Sequence, residues 1–241
     1  MKALIFDCDG VLVDTERDGH RVAFNRAFAE SGLAQGGRAV EWSVELYGEL
    51  LEVAGGKERM RAFFDEGGWP DGTGDRDALI AALHRRKTDL YMEIIESGQL
   101  PLRPGVARLV DEAAAAGLQL AVCSTSNERA VQQVLEKMLG PARQARFDAV
   151  LAGDVVSKKK PDPEIYNLAR ERLGRRVEEC VVVEDNRNGL LAAVGAGMGC
   201  IVTTNPYTAG EDFGEADLVV PELGDPPGEV VTLEMLEGLG A

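Results

Sequence analysis

A doubly wound α/β sheet with an inserted helical domain is the fold class that this sequence predicts. Short, almost continuously apolar runs alternate with longer amphipathic segments, which is typical of buried parallel strands separated by helices. A glycine follows each of four predicted helices, as is common at helix C-termini. The stretch from Thr15 to Gly98 interrupts this alternation, since it shows helical patterns without a strand signal. It is far longer than an ordinary βα connection, so we expect a separately packed helical domain there.

The predicted elements follow in chain order. The strands are the six apolar runs Ala3–Phe6, Leu120–Cys123, Ala149–Leu151, Val181–Val183, Ile201–Thr203 and Leu218–Val220. The helices between them are Val106–Ala116, Glu128–Leu139, Pro163–Leu173 and Asn188–Ala196, and the glycines that follow them are Gly117, Gly140, Gly174 and Gly197. The insertion holds four more helical patterns, Arg21–Glu30, Val44–Leu51, Lys57–Glu66 and Asp77–Glu96, with a turn at Gly67–Gly74. We therefore predict a core of residues 1–14 and 99–241 and a helical domain of residues 15–98.

Composition limits the partners of this chain. Its 241 residues include 26 Lys and Arg against 41 Asp and Glu, which gives a net charge of −15. So acidic a chain repels polyanions, which argues against nucleic acid and anionic membrane surfaces as partners. No apolar run approaches the roughly 20 residues of a membrane span. The four cysteines, Cys8, Cys123, Cys180 and Cys200, lie in or beside apolar runs without a C-x-x-C pair, so we expect reduced, buried thiols.

The first motif with chemical potential is Asp7-Cys8-Asp9-Gly10, directly after the first predicted strand. Side chains alternate along a strand, so Asp7 and Asp9 return to one side, at the sheet edge that borders the ligand crevice in this fold class. Such a pair can supply a nucleophile and an acid–base group. Taken alone, the motif fits a solvated acidic turn equally well.

The second motif is Val181-Val182-Val183-Glu184-Asp185, a buried strand that ends in two acids. Carboxylate oxygens are ligands that Mg²⁺ prefers. A carboxylate that attacks a phosphate dianion faces like charges, each costing about 4 kcal/mol near 4 Å at an effective dielectric of 20. A divalent cation between Asp7, Asp185 and the phosphoryl oxygen would remove that repulsion. Without Asp7, the two acids would more simply favour the start of a helix.

Two further segments can bind phosphate. The second predicted strand leads into Ser124, Thr125, Ser126 and Asn127, and hydroxyl and N–H groups at a helix start bind phosphate oxygens. A plain N-cap by Ser126 or Asn127 is the alternative. The basic run Lys158-Lys159-Lys160 would ordinarily be a solvated surface. Because Pro161 stiffens the loop after it, one lysine, Lys160, can point inward.

In this order, the four segments resemble the haloacid dehalogenase superfamily of phosphohydrolases. The resemblance covers nearly the whole chain and implies a Rossmann-like core with a helical cap after the first strand. It implies that Asp7 is the nucleophile that forms an aspartyl-phosphate, and that Asp9 is the general acid and then the base. It further implies that Ser124 and Lys160 hold the transferring phosphoryl group.

The same resemblance implies a Mg²⁺ site. Its ligands would be Asp7, the Asp9 carbonyl and Asp185, with Glu184 in support. The superfamily motif commonly continues Glu-Asp-Ser, whereas this chain has Asn186 after the two acids. That difference concerns the hydrogen bonds around the metal loop and leaves the predicted metal in place.

The insertion resembles that of the CbbY-type sugar bisphosphate phosphatases, which are relatives of β-phosphoglucomutase. In that family the matching residues help to bind the far phosphate and the sugar hydroxyls; here they are Glu16, Gly55, Gly56, Lys57, Glu58, Arg59, His84 and Lys87. Without the resemblance, these basic stretches would count as solvated helix surface, although His84 and Lys87 share one helix face. Longer agreements over Asp14–Arg21 and Glu45–Leu51 resemble the plant and algal branch.

The resemblance implies a Mg²⁺-dependent phosphatase that removes the 1-phosphate of xylulose 1,5-bisphosphate, an inhibitor of the Calvin-cycle enzyme Rubisco. A bisphosphate needs cations at both ends, and the chain offers Lys160 and the basic residues of the insertion. The alternatives are a β-phosphoglucomutase-like mutase, a broad sugar-phosphate or phosphoglycolate phosphatase, and a catalytically silent binding module. We expect a monomer in the chloroplast stroma, with the bacterial cytoplasm as the alternative location.

Overall fold

The computed structural model describes residues 1–53 and 55–239. The chain divides into two compact units, which we call the core unit and the helical unit. The core unit comprises Met1–Asp14 and the described residues from Gly98 onward, and the helical unit comprises Thr15–Ser97.

The elements are numbered along the whole chain. The strands are β1 (Ala3–Phe6), β2 (Ala34–Gln35), β3 (Arg38–Ala39), β4 (Gln119–Ser124), β5 (Ala149–Ala152), β6 (Cys180–Glu184), β7 (Gly199–Thr203) and β8 (Leu218–Val220). The α-helices are α1 (Arg21–Glu30), α2 (Val44–Leu50), α3 (Gly56–Gly67), α4 (Arg76–Ser97), α5 (Val106–Ala115), α6 (Glu128–Gln133), α7 (Pro141–Gln144), α8 (Glu164–Leu173), α9 (Arg187–Gly195) and α10 (Leu233–Glu237).

A six-stranded parallel sheet forms the centre of the core unit and confirms the predicted fold class. The strands lie in the order β5-β4-β1-β6-β7-β8, and all six are strands that the sequence predicts. β1 is an inner strand, with Ile5 paired to Ala121 of β4 and to Val182 of β6. The sheet therefore brings the carboxyl ends of β1, β4 and β6 side by side, where ligands bind in such folds.

Apolar side chains cover both faces of this sheet. Ile5 packs in one buried cluster with Ile165 of α8 and Leu190 of α9. Leu4 and Phe6, which alternate to the opposite face, are also fully buried. Burying each side chain of this size contributes about 1.5–3 kcal/mol, so the end of β1 is anchored in a rigid position.

Two features of the core unit differ from the sequence prediction. The segment Glu128–Leu139 is not one α-helix, because α6 continues as a π-helical turn over Val134–Leu139. The short helices α7 and α10 were not predicted, since four or five residues show no recognisable period. The predicted glycine stops are confirmed, because Gly117, Gly140, Gly174 and Gly197 all have positive φ.

The helical unit contains the four predicted helices, α1 to α4. The expectation that it holds no strand is wrong, because β2 and β3 form a small antiparallel hairpin. Gly36 and Gly37 join them with φ values of +57° and +75°, the conformation that a two-residue hairpin turn requires. Strands of two residues are too short for an alternating pattern to be visible in the sequence.

Aromatic side chains fill the helical unit. Trp42 is fully buried against Phe24 and Phe28, with ring centroids 4.8 and 4.9 Å apart.

Among the described residues, no helix has the length and apolar composition that crossing a membrane requires. All four cysteines are free and buried, as predicted.

Candidate active site

Asp7 and Lys160 meet where the central strands end. The Asp7 N–H donates to the Val183 carbonyl (2.9 Å), which continues the pairing of β1 with β6 by one residue. Lys160 Nζ donates to Asp7 Oδ1 (2.7 Å), to Glu184 Oε1 (2.5 Å) and to the Cys123 carbonyl (3.0 Å). One buried ammonium group therefore connects the ends of β1, β4 and β6.

Burial and neighbouring charges set the protonation of this pair. Burial raises the pKa of Asp7 to about 7; Lys160 opposes the shift, while Glu184 and Asp9 add to it. Burial alone would lower the pKa of Lys160, but Asp7 and Glu184 outweigh it and raise that pKa above its ordinary value. Lys160 is therefore a permanent cation, and Asp7 loses its proton near neutral pH, where the anion can act as a nucleophile.

Asp9 faces the end of β4. Its Oδ2 accepts hydrogen bonds from Ser124 Oγ (3.3 Å) and from Ser126 Oγ. Gly10 follows with a φ of +80°, and a Cβ at this position would overlap the carboxylate of Asp185. Only glycine permits this turn. The loop after β1 therefore brings the carboxylates of Asp7 and Asp9 to the edge of the sheet where β6 also ends.

Three carboxylates form a group that could hold a metal ion. Oxygens of Asp7, Glu184 and Asp185 lie within 4.8 Å of one another. Burial raises the pKa of Asp185 well above its ordinary value, and Glu184 and Asp7 add to the shift. Fully ionised, the three carboxylates carry −3 against the +1 of Lys160, which leaves −2. Mg²⁺ fits both this charge and this all-oxygen donor set.

Glu184 is itself held by several donors. Its Oε1 accepts from Lys160 and from the Tyr166 hydroxyl, and its Oε2 accepts from the Asp185 N–H (3.2 Å). A Cβ on Gly189, in the first turn of α9, would lie 1.9 Å from Glu184 Cδ. Helix α9 can therefore start against Glu184 only because position 189 is glycine.

The segment after β4 contains the predicted phosphate-binding residues. Ser124 is buried, Thr125 and Ser126 are half-buried, and Asn127 is exposed. Asn127 Oδ1 accepts from the N–H groups of Arg129 (3.0 Å) and Ala130 (3.4 Å). The side chain of Asn127 is therefore the N-cap of α6, which was the alternative interpretation for this residue.

The three consecutive lysines differ in exposure. Lys158 and Lys159 are exposed, whereas the Lys160 side chain is 8% exposed. Lys159 Nζ lies 3.4 Å from the Thr125 carbonyl and 3.6 Å from Asp154. Of the three lysines, Lys160 is therefore the one that points inward and contacts the carboxylates at this edge of the sheet.

In the helical unit, Glu16 and Arg59 are joined through Tyr47. The Tyr47 hydroxyl donates to Glu16 Oε2 (2.7 Å) and accepts from Arg59 Nη1 (2.9 Å). Arg59 Nε donates to the Leu50 carbonyl (3.0 Å). The guanidinium also lies over the Tyr47 ring, 5.2 Å from its centroid. Tyr47 thus fixes the positions of two predicted substrate-binding residues relative to each other.

Lys87 is a second buried cation of the helical unit. Its Nζ lies 3.0 Å from His20 Nδ1 and faces the rings of Phe24 and Tyr91, 4.8 and 5.4 Å from their centroids. Burial lowers the pKa of Lys87 to about 8. Within residues 1–53 and 55–239, no carboxylate lies in hydrogen-bond contact with the Lys87 ammonium group, in contrast to that of Lys160.

Arg59 and Lys87 together make the helical unit a candidate anion site. Each residue is 9% exposed, and neither forms an ion pair within the described part of the chain. Glu16 is the carboxylate whose charge acts on Lys87. Two cations and one carboxylate leave a net charge of +1, and uncompensated buried charge is costly unless an anion binds.

The remaining candidates lie around the start of α3. A Cβ on Gly56 would lie 3.2 Å from both His84 Cδ2 and Phe24 Cζ. Gly56 therefore allows close packing of side chains, and its backbone is not an open surface for a ligand. His84 is half-buried, and burial, Lys87 and Lys57 lower its pKa. Three candidates are exposed: Gly55, Lys57 and Glu58.

Sequence reasoning missed several residues that hold the candidates in place: Tyr47, Tyr166, Asn205 and Ser126 as a partner of Asp9. Tyr47 lies inside the run Glu45–Leu51, which the sequence analysis compared as a whole. Asn205 follows β7 at the same edge of the sheet as the other site residues. Its position after a predicted strand was the one signal that could have identified it.

Comparison with known proteins identifies close relatives. A family model described as haloacid dehalogenase-like hydrolase matches residues 1–197. The CBBY-like protein of Arabidopsis thaliana is 56% identical over 231 residues, which cover 94% of this chain and 70% of that protein. Protein CbbY of Rhodobacter capsulatus is 43% identical over 223 residues, which cover 92% of this chain and 94% of that protein.

A solved structure adds a ligand to this comparison. The crystal structure of a CbbY mutant from Rhodobacter sphaeroides, in complex with xylulose-(1,5)bisphosphate, is 38% identical to this chain. It superimposes with a TM-score of 0.70, and the match covers 96% of this chain and 100% of that one.

Proposed function

The chain belongs to the haloacid dehalogenase-like hydrolase family and is a phosphatase, and on that premise we propose that it hydrolyses one phosphate ester of a sugar bisphosphate. The proposed substrate is xylulose 1,5-bisphosphate, and the proposed leaving group is the sugar oxygen at position 1. The proposed cofactor is Mg²⁺, and the proposed intermediate is an aspartyl-phosphate on Asp7. The relatives named CbbY, one of which binds xylulose bisphosphate, support this choice of substrate.

One observation carries the proposal of a bisphosphate. Each unit of the chain contains its own buried cation, Lys160 in the core unit and Lys87 with Arg59 in the helical unit. Lys160 lies beside the proposed nucleophile and serves the phosphoryl group that is transferred. The +1 group in the helical unit has no role in that chemistry, but it suits a second phosphate. A substrate with one phosphate would leave these cations without a ligand.

The first chemical step uses Asp7 and Asp9. An ionised oxygen of Asp7 attacks phosphorus and forms a P–O bond, while the bond from phosphorus to the sugar oxygen breaks. Asp9 gives its proton to that sugar oxygen as the general acid. Lys160 and Ser124 hold the phosphoryl oxygens during the transfer. The Ser126 hydroxyl, which donates to Asp9 Oδ2, keeps Asp9 aligned, while the Ser124 hydroxyl turns its hydrogen from Asp9 Oδ2 to a phosphoryl oxygen.

The second step returns the chain to its starting state. Asp9, now ionised, accepts a proton from a water molecule whose oxygen attacks phosphorus. The bond between phosphorus and Asp7 then breaks, and inorganic phosphate leaves. Asp7, Asp185 and the Asp9 carbonyl would hold Mg²⁺, supported by Glu184. When bound, Mg²⁺ supplies positive charge that offsets repulsion between the phosphate and these carboxylates.

Product analysis tests the proposed reaction. The chain is incubated with Mg²⁺ and xylulose 1,5-bisphosphate and followed by phosphorus NMR. We expect one equivalent of inorganic phosphate and one of xylulose 5-phosphate. Migration of phosphate within the sugar would instead identify a mutase. A higher kcat/KM for phosphoglycolate or sugar monophosphates than for the bisphosphate would contradict the substrate proposal.

We also propose a cellular location and an assembly state for the chain. The 56% identity to a plant protein supports the plant and algal branch, for which we propose the chloroplast stroma. The bacterial CbbY relatives make the bacterial cytoplasm the alternative. We propose a monomer, because both candidate groups of residues are complete within one chain. Light scattering after size-exclusion chromatography tests this state, and a mass near twice 25.9 kDa would contradict it.

A further inference from the structure

Two side-chain amides hold the carboxylate of Asp185. Asn186 Nδ2 donates to Asp185 Oδ1 (2.6 Å), and Asn205 Nδ2 donates to Asp185 Oδ2 (2.9 Å). Asn186 precedes α9, whereas Asn205 follows β7. Each carboxylate oxygen therefore receives one amide hydrogen bond and keeps a lone pair for a cation.

Backbone N–H groups determine which way both amides point. Asn186 Oδ1 accepts from the Gly189 N–H (2.9 Å), and Asn205 Oδ1 accepts from the N–H groups of Tyr207 (2.9 Å) and Thr208 (3.2 Å). A backbone N–H can only donate, so each amide oxygen must face it and each amide nitrogen must face Asp185. Asn205 is itself buried, which fixes its side chain further.

Neutral donors suit a carboxylate that is to bind a cation. Asp185 is buried beside Asp7 and Glu184, and the side-chain donors that contact its carboxylate are the amides of Asn186 and Asn205. A lysine or arginine at either position would stabilise the anion but would repel a divalent ion. An amide stabilises the anion without adding charge. Asn186 also caps α9 with its oxygen while its nitrogen contacts Asp185, two tasks that a single serine hydroxyl would have to share.

We propose that Asn186 and Asn205 are positioning residues that hold the carboxylate of Asp185 in the orientation of a metal ligand. The turn Asn205–Thr208 after β7 thereby becomes part of the metal centre. This inference rests on the proposed function, because it takes Asp185 to be a ligand of Mg²⁺. Partners that hydrogen-bond to ligating carboxylates typically change metal affinity by 10–100-fold when they are removed.

Metal affinity, measured on the full chain without substrate, tests this inference. Titration calorimetry with Mg²⁺ and electron paramagnetic resonance with Mn²⁺ give the dissociation constants. We expect Asn205→Ala to raise the dissociation constants of Mg²⁺ and Mn²⁺ by 10–100-fold. Asn186→Ser, which retains an acceptor to cap α9, should also raise both dissociation constants. The control is Asn25→Ala, which loses two hydrogen bonds to the Trp42 backbone in the helical unit and should bind both ions normally.

The outcomes separate this inference from the proposed function. If Asn205→Ala folds and binds metal with wild-type affinity, this inference is wrong. If circular dichroism shows that Asn205→Ala does not fold, wild-type metal affinity in Asn186→Ser shows that the inference is wrong. An equal loss of affinity in Asn25→Ala also overturns it. If Asp185→Ala binds metal as the wild type does, the proposed metal site and this inference both fail. If the affinities change as expected but no sugar bisphosphate is hydrolysed, only the proposed function fails.

Discussion

Lys160 and Lys87 are both buried ammonium groups, yet their pKa values move in opposite directions. Lys160 contacts the carboxylates of Asp7 and Glu184, which outweigh burial and raise its pKa. Lys87 contacts His20 and two ring faces, and burial lowers its pKa to about 8. At the scale of single residues, Lys160 is thus a fixed cation, whereas Lys87 titrates close to physiological pH.

This difference predicts a pH dependence of substrate binding. As pH rises above about 8, Lys87 loses its proton, so the KM for xylulose 1,5-bisphosphate should rise by up to about tenfold per pH unit. The KM for p-nitrophenyl phosphate, which has no second phosphate, should stay constant over the same range. Lys87→Ala should have a raised bisphosphate KM at every pH and no further rise above pH 8. Parallel profiles for the two substrates would contradict the role of Lys87.

At the scale of elements, α9 depends on a glycine that faces the site. A Cβ at position 189 would lie 1.9 Å from Glu184 Cδ, whereas a Cβ at position 195 of the same helix would lie 3.5 Å from Pro163. Because Lys160 and Tyr166 hold Glu184, Glu184 cannot move aside without losing buried hydrogen bonds. A side chain larger than hydrogen at position 189 should therefore disturb both the start of α9 and the position of the Glu184 carboxylate.

Matched glycine substitutions test this coupling. Gly189→Ala should lower the free energy of unfolding by about 1–3 kcal/mol, since it forces extra volume into a packed site, and should also lower kcat. Gly195→Ala should raise that free energy by up to about 1 kcal/mol, because alanine favours a helix over glycine. Urea denaturation measures both values. Equal effects of the two substitutions would show that the contact with Glu184 does not matter.

Most elements could be predicted because parallel strands are buried on both faces. The predicted strands Ala3–Phe6 and Leu218–Val220 have the observed bounds, and the others extend by only one or two residues. The hairpin β2–β3 could not be predicted, because two-residue strands have no period. The π-helical turn Val134–Leu139 keeps three apolar residues buried, a pattern that an α-helix would show equally well.

The chemical groups of the site were easier to predict than their partners. Asp7 and Asp185 each follow a strongly apolar strand, so their placement at one sheet edge follows from the fold class. Tyr47 and Asn205 act through hydrogen bonds to residues that are 31 and 20 positions away. Tyrosine and asparagine are common residue types, and their spacing from these partners reflects the tertiary fold rather than a local pattern.

At the scale of the whole molecule, we propose that a chain of net charge −15 binds phosphate through a few buried cations. When Asp7, Glu184 and Asp185 are fully ionised, they and Lys160 together carry a charge of −2. A divalent cation should therefore both activate and stabilise the protein, because a ligand that binds the folded state alone stabilises it.

Chelation tests this charge balance. EDTA should abolish turnover reversibly, and saturating Mg²⁺ should restore it and raise Tm, with about 2.7 kcal/mol of stabilisation at 100 times the dissociation constant. Asp185→Ala should lose the Mg²⁺-dependent rise in Tm, whereas Asp154→Ala, which removes an exposed carboxylate, should keep it. A normal rise in Tm for Asp185→Ala would place the metal elsewhere.

We expect Asp7 to become covalently phosphorylated during turnover. Rapid quenching with xylulose 1,5-bisphosphate, followed by reduction with tritiated borohydride, converts an aspartyl-phosphate into labelled homoserine that peptide mapping can locate. We predict label at position 7 alone, and neither label nor turnover in Asp7→Asn. Label at another residue, or steady turnover of bisphosphate without any label at position 7, would contradict the role of Asp7 as the nucleophile.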